Sequence, residues 1–302
     1  SFSIYNHEIF CIIGPNGAGK STFVKLLTGQ IKSTQGQIKI RNLDPILDRK
    51  QLLGTFGLVP QEIALYDELT GRENLTFHAR LYNVPKQKIR NKVDEMLKIV
   101  GLTERQNDYV RTYSGGMKRR LQLVRALLHE PEIIILDEPT LGIDVQSRKA
   151  IHDYILELPK KGITVILTTN YMEEAERLAD RIVILDTSII EGPGRLTEIQ
   201  EKVFPNTIIE FKMILDPITN EFLDSFLIRQ LHGEIISEKK VSEQHKIVQI
   251  LFDTSKLKDL LEKFINYTNS NNISIDEFTI KKPTLEDIFL KLTGKEFRDS
   301  EE

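Results

Sequence analysis

Gly14-Pro15-Asn16-Gly17-Ala18-Gly19-Lys20-Ser21 matches the pattern G-x-x-x-x-G-K-[ST] at every fixed position. The residues before it, Glu8 to Ile13 (EIFCII), read as a short apolar strand, and those after it, Ser21 to Thr28 (STFVKLLT), as a helix closed by Gly29. In a strand–loop–helix of this kind the glycines let backbone N–H groups turn inward around phosphates, and the helix N-terminus adds its partial positive charge. A glycine-rich turn that matches by chance is the competing reading, and the flanking strand and helix argue against it. The loop therefore reads as a nucleotide site made by Gly14, Asn16, Gly17, Ala18, Gly19, Lys20, Ser21 and Thr22. Lys20 reaches the outer phosphates in this reading, and the Ser21 hydroxyl coordinates Mg²⁺.

The other half of the site is read from Ile133 to Leu136 (IIIL), a wholly apolar run that predicts a parallel strand covered on both faces. It delivers Asp137-Glu138 at its C-terminal end, where open α/β sheets place their ligands. Asp137 suits an Mg²⁺ shell, and Glu138 suits polarising an attacking water. Two carboxylates after a buried strand can also be a solvated turn; the phosphate loop tips the balance. From Asp137 to Asp144 (DEPTLGID) the chain leads into a helix ending near Leu158, then a strand, Ile163 to Leu167, that stops at Thr168-Thr169-Asn170. A further helix (YMEEAERLA) and strand (RIVIL) predict a doubly wound α/β sheet whose regular pattern ends at Gly192-Pro193-Gly194. Short β runs are also expected at SFSI (1–4), at Gly36 to Ile40 and at Phe56 to Val59, the last ending at Pro60-Gln61.

Residues from about 68 to 129 change character and read as a helical insert. Thr70-Gly71-Arg72-Glu73 is a capping-box pattern, and Ile89, Val93, Met96, Leu97 and Val100 follow the spacing of one buried helical stripe. The insert ends in Tyr113-Ser114-Gly115-Gly116-Met117-Lys118-Arg119-Arg120 followed by a helix. Ser114-Gly115-Gly116 there offers an anion a hydroxyl, free N–H groups and a favourable dipole, although Ser-Gly caps are common.

With 41 basic and 44 acidic residues the net charge is −3, which offers no global field for a polyanion, so a nucleic-acid partner is not expected. The single cysteine, Cys11, falls in the apolar strand before the loop and reads as a small core residue in a reducing compartment. No run approaches the roughly 18 apolar residues of a membrane span, and the N-terminus lacks the regions of a signal peptide. The chain begins at Ser1, already inside a strand-like segment and without Met, so a native start upstream is expected.

The loop at 14–21, Gln61, Ser114-Gly115-Gly116, the Asp137-Glu138 pair and the loop ending at Asp144 together resemble, in order, an ATP-binding cassette (ABC) ATPase over residues 1 to about 200. The resemblance implies ATP and Mg²⁺ as cofactors, with Gln61 joining Ser21 and Asp137 at the metal and Glu138 and Asn170 at the reaction. It implies a head-to-tail dimer with a second ATPase subunit, in which ATP on one phosphate loop is capped by Ser114, Gly115 and Gly116 of the other. It also implies separate transmembrane permease subunits, reached through the insert and the Gln61 loop, and a peripheral place on the cytoplasmic face of the cell membrane. Two departures stand out. The family's adenine-stacking aromatic falls upstream of SFSI, and Asn170 occupies the position of the usual γ-phosphate histidine, which bears on the pace of hydrolysis.

From Pro205 the order strand, helix (about 219–232), strand, strand, helix, strand is the ferredoxin-like pattern, with no cluster of catalytic residue types. The tail, Pro283 to Gly294, is a capped amphipathic helix by pattern. With TTNYMEEAE it resembles exporter ATPases of the daunorubicin-resistance type, a multidrug and lipid exporter branch, and so carries the resemblance over nearly the whole chain. The expected organisation is a phosphate-loop NTPase domain at 1–204, with its helical insert at about 68–129, and a smaller α+β accessory domain at 205–302. The function implied is a Mg-dependent ATPase powering export of a multidrug or lipid-like substrate. A soluble cassette ATPase acting on ribosomes or DNA is the alternative; a single phosphate loop and the lack of a sustained heptad run speak against it. A phosphate-loop kinase leaves Ser114-Gly115-Gly116 and the acidic pair unexplained.

Overall fold

Six strands, β1 (Ile9–Ile13), β2 (Phe56–Val59), β3 (Ile133–Asp137), β4 (Thr164–Thr169), β5 (Arg181–Asp186) and β6 (Ser188–Gly194), form one sheet in the order β2-β3-β4-β1-β5-β6. All pairs are parallel except β5–β6. The strands in the middle are covered on both faces: every residue of β1 and β4 is buried. Phe10 and Ile12 of β1 face helix α1 (Lys20–Leu27) in a cluster with Val183, and Val24 and Leu27 of α1 pack with Ile135 and Ile166. The register pairs Ile13 with Thr169 and Asp137 with Thr168. The C-terminal ends of β1, β3 and β4 therefore lie side by side, and the phosphate loop, the acidic pair and Asn170 all leave the sheet at that edge.

This structure is a computed structural model that describes residues 1–52, 54–186, 188–204, 206–214, 234–240, 245–253, 257–271 and 275–293. After a short helix α2 (Arg49–Leu52), the insert is built from α3 (Gly71–Leu81), α4 (Lys86–Ile99) and α5 (Gly115–Arg125). Thr70 closes the expected capping box: its hydroxyl accepts from the Glu73 N–H, and Glu73 accepts from the Thr70 N–H. Ile89, Val93, Met96, Leu97 and Val100 are all buried. Helix α6 (Val145–Glu157) follows the acidic turn, and α7 (Met172–Leu178) follows β4 and packs on β1.

The strand expected at 36–40 is only an isolated bridge between Ile40 and Leu43, and residues 1–4 form no strand. Among the described residues neither segment has a partner strand to complete its backbone hydrogen bonds, and a lone strand is not stable. Conversely, β6 runs through Gly192-Pro193-Gly194, where the sequence pattern signals an end. As an edge strand it tolerates a proline that a central strand would exclude.

The chain divides into two compact units, residues 1–196 and 197–297. The second holds α8 (Leu196–Val203) and strands β7 (Asn206–Ile214), β8 (Glu234–Lys240), β9 (His245–Asp253) and β10 (Ile275–Lys281), antiparallel in the order β10-β7-β9-β8. Helix α9 (Leu257–Asn271) lies between β9 and β10 in sequence, and α10 (Leu285–Thr293) closes the unit. Ile209, Val248, Ile250, Phe252 and Phe264 are buried in it. The tail helix is capped as expected, by Thr284 exchanging hydrogen bonds with Asp287. The helix expected at about 219–232 lies outside the described residues.

Candidate active site

The chain leaves β1 at Gly14, where a Cβ would stand 2.2 Å from the Leu185 carbonyl oxygen; only glycine fits there. The loop turns into α1 at Gly19, whose φ of 103° lies in the left-handed region that glycine enters without strain. Asn16 and Gly17 are exposed at the tip, Ala18 is buried, and Ser21 and Thr22 are exposed on the first turn of α1. Lys20 is buried and folds its ammonium back into the loop, donating to the Gly14 carbonyl at 2.7 Å and the Pro15 carbonyl at 3.1 Å.

From there Lys20 meets the acidic pair: its Nζ lies 3.2 Å from Glu138 Oε1, with both side chains nearly out of solvent. The other oxygen, Glu138 Oε2, accepts from Gln61 Nε2 at 3.0 Å. Three segments distant in sequence thus converge on one carboxylate. Glu138 has a φ of 48°, left-handed for a residue with a side chain, in a turn held by its N–H donating to the Thr168 carbonyl at 2.9 Å. Non-glycine residues kept in that region carry a cost of about 1–3 kcal/mol and cluster at functional sites. Asp137, one residue earlier, accepts from the Thr168 hydroxyl across the β3–β4 register.

Ser114 caps α5, its hydroxyl accepting from the Met117 N–H at 3.3 Å, and Ser114 and Gly115 are exposed. Among the described residues no hydrogen bond joins Ser114, Gly115 or Gly116 to the phosphate loop, so the structure brings together Lys20, Gln61, Asp137 and Glu138 and leaves the Ser-Gly-Gly turn apart. Asn170 is buried at the end of β4, and its Oδ1 has no hydrogen-bond partner among the described residues. It does not cap the following helix. That helix begins at Met172 with Tyr171 at the cap position, and the Tyr171 N–H goes to the Thr169 hydroxyl instead.

Three further residues belong to the site without standing out in sequence. Thr168 holds Asp137. Glu174, one of several acids in MEEAE, is 2 % exposed; its Oε1 accepts from the Thr140 hydroxyl at 2.8 Å and lies 2.9 Å from His152 Nε2, tying α7 and α6 to the acidic turn. Arg119 of α5 is 3 % exposed and donates to main-chain carbonyls on both the Gln61 segment and the acidic turn.

The ABC transporter family profile matches residues 1–141. The chain is 36% identical over 299 residues to the linearmycin resistance ATP-binding protein LnrL of Bacillus subtilis, covering 99% of this chain and 94% of that one. It is 31% identical over 299 residues to the daunorubicin resistance ATP-binding protein DrrA3 of Streptomyces coeruleorubidus (96% and 88% covered). To the Nod factor export ATP-binding protein I of Bradyrhizobium diazoefficiens it is 35% identical over 302 residues (98% and 90%). Among solved structures, the ATP-binding subunit of an ABC transporter superposes with a TM-score of 0.60 at 31% identity, covering 67% of this chain and 84% of that one. A dimeric, post-hydrolysis ATP-binding cassette bound to ADP and phosphate gives 0.58 at 28% identity (65% and 88%). A phosphate loop, an acidic pair and a glutamine meeting on one sheet edge, in a chain that aligns nearly end to end with the three resistance and export proteins, place it in the ABC transporter family as one of its ATP-binding, ATP-hydrolysing subunits.

Proposed function

We propose that this chain powers an export transporter for a multidrug or lipid-like substrate, working on the cytoplasmic face of the membrane with separate permease subunits. Among the described residues no helix is long and apolar enough to cross a membrane. The full-length similarity to proteins named for antibiotic resistance and Nod factor export, second unit included, supports export over a soluble role on ribosomes or DNA. The exposed Ile63, Tyr66 and Phe77, after Gln61 and on α3, offer apolar surface to a permease. We take residues 1–204 as the ATPase domain, its insert at about 68–129, and 205–302 as an accessory domain. The antiparallel order of that domain's strands, fourth-first-third-second, supports a ferredoxin-like fold.

The observation that carries the mechanism is the carboxylate of Glu138, held between Lys20 and Gln61. The phosphate loop, with Asn16, Gly17, Ala18 and Thr22, receives the nucleotide's phosphates, and Lys20 exchanges its carbonyl partners for phosphate oxygens. Released from Lys20, Glu138 orients and polarises the attacking water. Ser21, Asp137 and Gln61 fit Mg²⁺: all three offer hard oxygen donors, and Thr168 fixes the Asp137 carboxylate. When bound, the ion neutralises phosphate charge. Ser114, Gly115 and Gly116 of the partner subunit close the site in a head-to-tail dimer, and Asn170 approaches the γ-phosphate from β4.

Glu138→Gln tests this directly. It is expected to keep ATP binding, nearly stop turnover and trap an ATP-bound dimer. Loss of a general base costs roughly 10²- to 10⁴-fold, so single-turnover hydrolysis within about tenfold of wild type would sink the assignment.

A further inference from the structure

The chain leaves β2 at Pro60-Gln61 and β3 at Glu138-Pro139, and at both places backbone carbonyls accept side-chain hydrogen bonds from α5. One side chain collects them. Arg119 Nη1 donates to the Pro60 carbonyl at 2.7 Å and the Gln61 carbonyl at 3.0 Å; Nη2 donates to Asp137 at 3.0 Å and Glu138 at 2.5 Å; Nε donates to Pro139 at 2.6 Å. A guanidinium is planar and carries five donors in a fixed fork, so it fixes the spacing of the groups it bridges; an ammonium has three donors on one atom and cannot span both loops. One turn further along α5, Gln122 Nε2 donates to Pro60 at 3.1 Å and Glu62 at 2.9 Å, reinforcing the glutamine side alone. Burial lowers the Arg119 pKa to about 10, with Asp137, Glu174 and Glu138 opposing that shift, so the group is cationic at neutral pH.

We propose that Arg119 is the positioning residue of hydrolysis: by gripping the main chain of Gln61 and of Glu138 together, it sets the Gln61–Glu138 contact and makes α5 one rigid piece with both loops. Arg119 has no hydrogen bond to the phosphate loop among the described residues, so its effect falls on turnover far more than on nucleotide binding. The inference rests on the roles proposed for Glu138 and Gln61.

The test uses the full chain. For Arg119→Lys and Arg119→Gln, kcat and KM for ATP, the Kd of a fluorescent ATP analogue and Tm are measured, with kcat expressed per nucleotide-binding site. Small misplacements of reacting groups can cost about 10²-fold; a kcat loss of that order is expected for Arg119→Lys, with KM and Kd changed only a few-fold. Because Arg119 acts through Gln61 and Glu138, adding Arg119→Lys to Gln61→Ala is expected to cost far less than the product of the two single losses. Gln122→Met, which keeps the guanidinium, is expected to lower kcat by a smaller factor and serves if the Arg119 variants do not fold. Wild-type kcat in Arg119→Lys or, failing its folding, in Gln122→Met overturns the inference, as does a fully multiplicative double variant. Glu138→Gln separates the two levels: if it stops turnover while Arg119→Lys does not, the positioning role alone falls, and if it turns over normally the reading of the site falls.

Discussion

Asn170 lies buried at the end of β4, and its surroundings decide between two roles, helix cap or phosphate contact. A helix cap would use the side-chain oxygen on a backbone N–H, yet among the described residues the buried Oδ1 has no partner, and the Tyr171 N–H at the helix start goes to the Thr169 hydroxyl. A buried acceptor left unpaired costs about 1–3 kcal/mol, so Asn170 is kept at the expense of stability. An amide can donate to a phosphate oxygen as histidine does, but it is shorter and never titrates. Removing one preorganised donor can cost about 10²- to 10³-fold in kcat. The lower end is expected for Asn170→Ala, since in the proposed closed site Lys20 and the partner's Ser114 would cover the same charge, and Tm should hold or rise because the orphaned acceptor is gone. Asn170→Asp sets a negative charge toward the phosphates and should be slower than wild type. Steady-state hydrolysis and thermal melts on both variants decide it: normal kcat in both, with a lower Tm in Ala, makes the residue structural.

At the scale of the element, α3 carries a pH dependence of its own. His78 is buried beside the rings of Tyr66 and Phe77, and its Nε2 has no partner among the described residues. Burial, helped by the charge of Arg125, lowers its pKa to about 4. Between the ordinary histidine value of about 6.5 and about 4 the unfolded chain binds the proton and the folded chain does not, so stability is fully present above that window and is lost as pH falls through it. His129, stacked on Tyr82, is shifted the same way by burial. His78→Phe should flatten, without abolishing, the fall in Tm between pH 7 and pH 5; an unchanged slope would remove His78 as the source. Elements such as α3 were legible in the sequence because their determinants are local: the Thr70 box, the stripe on α4, the glycines of the phosphate loop. The strand at 36–40 failed because a strand needs a partner, and no local pattern supplies one. Arg119, Glu174 and Thr168 lie within legible motifs yet are unremarkable there, because what sets them apart is burial and contacts made across 18 to 59 residues of chain.

For the molecule as a whole, α5 presents an unfinished surface. Its N-terminus leaves backbone N–H groups without helical partners, Ser114 and Gly115 are exposed, and a Cβ added at Gly115 would meet nothing within 4 Å. An anion there gains from the helix dipole and from those donors together, and within one subunit no hydrogen bond among the described residues brings the phosphate loop to this turn. A second copy can bring it, with the γ-phosphate as the anion. The chain is therefore expected to be largely monomeric without nucleotide and dimeric with Mg-ATP, most clearly in the Glu138→Gln background. Ser114→Arg fills the anion pocket and should abolish that dimer. Because Ser114 also caps α5, the substitution carries a cap penalty of about 1 kcal/mol. Ser114→Ala carries the same penalty without the bulk, so the two variants should melt together while only arginine eliminates ATP-dependent association outright. Light scattering with and without Mg-ATP reads the outcome. Equal masses for wild type and Ser114→Arg in ATP would show that the Ser-Gly-Gly turn does not close the site. A dimer formed without nucleotide calls for repeating the measurement on residues 1–204, where any ATP-dependent association that remains must pass through the cassette itself.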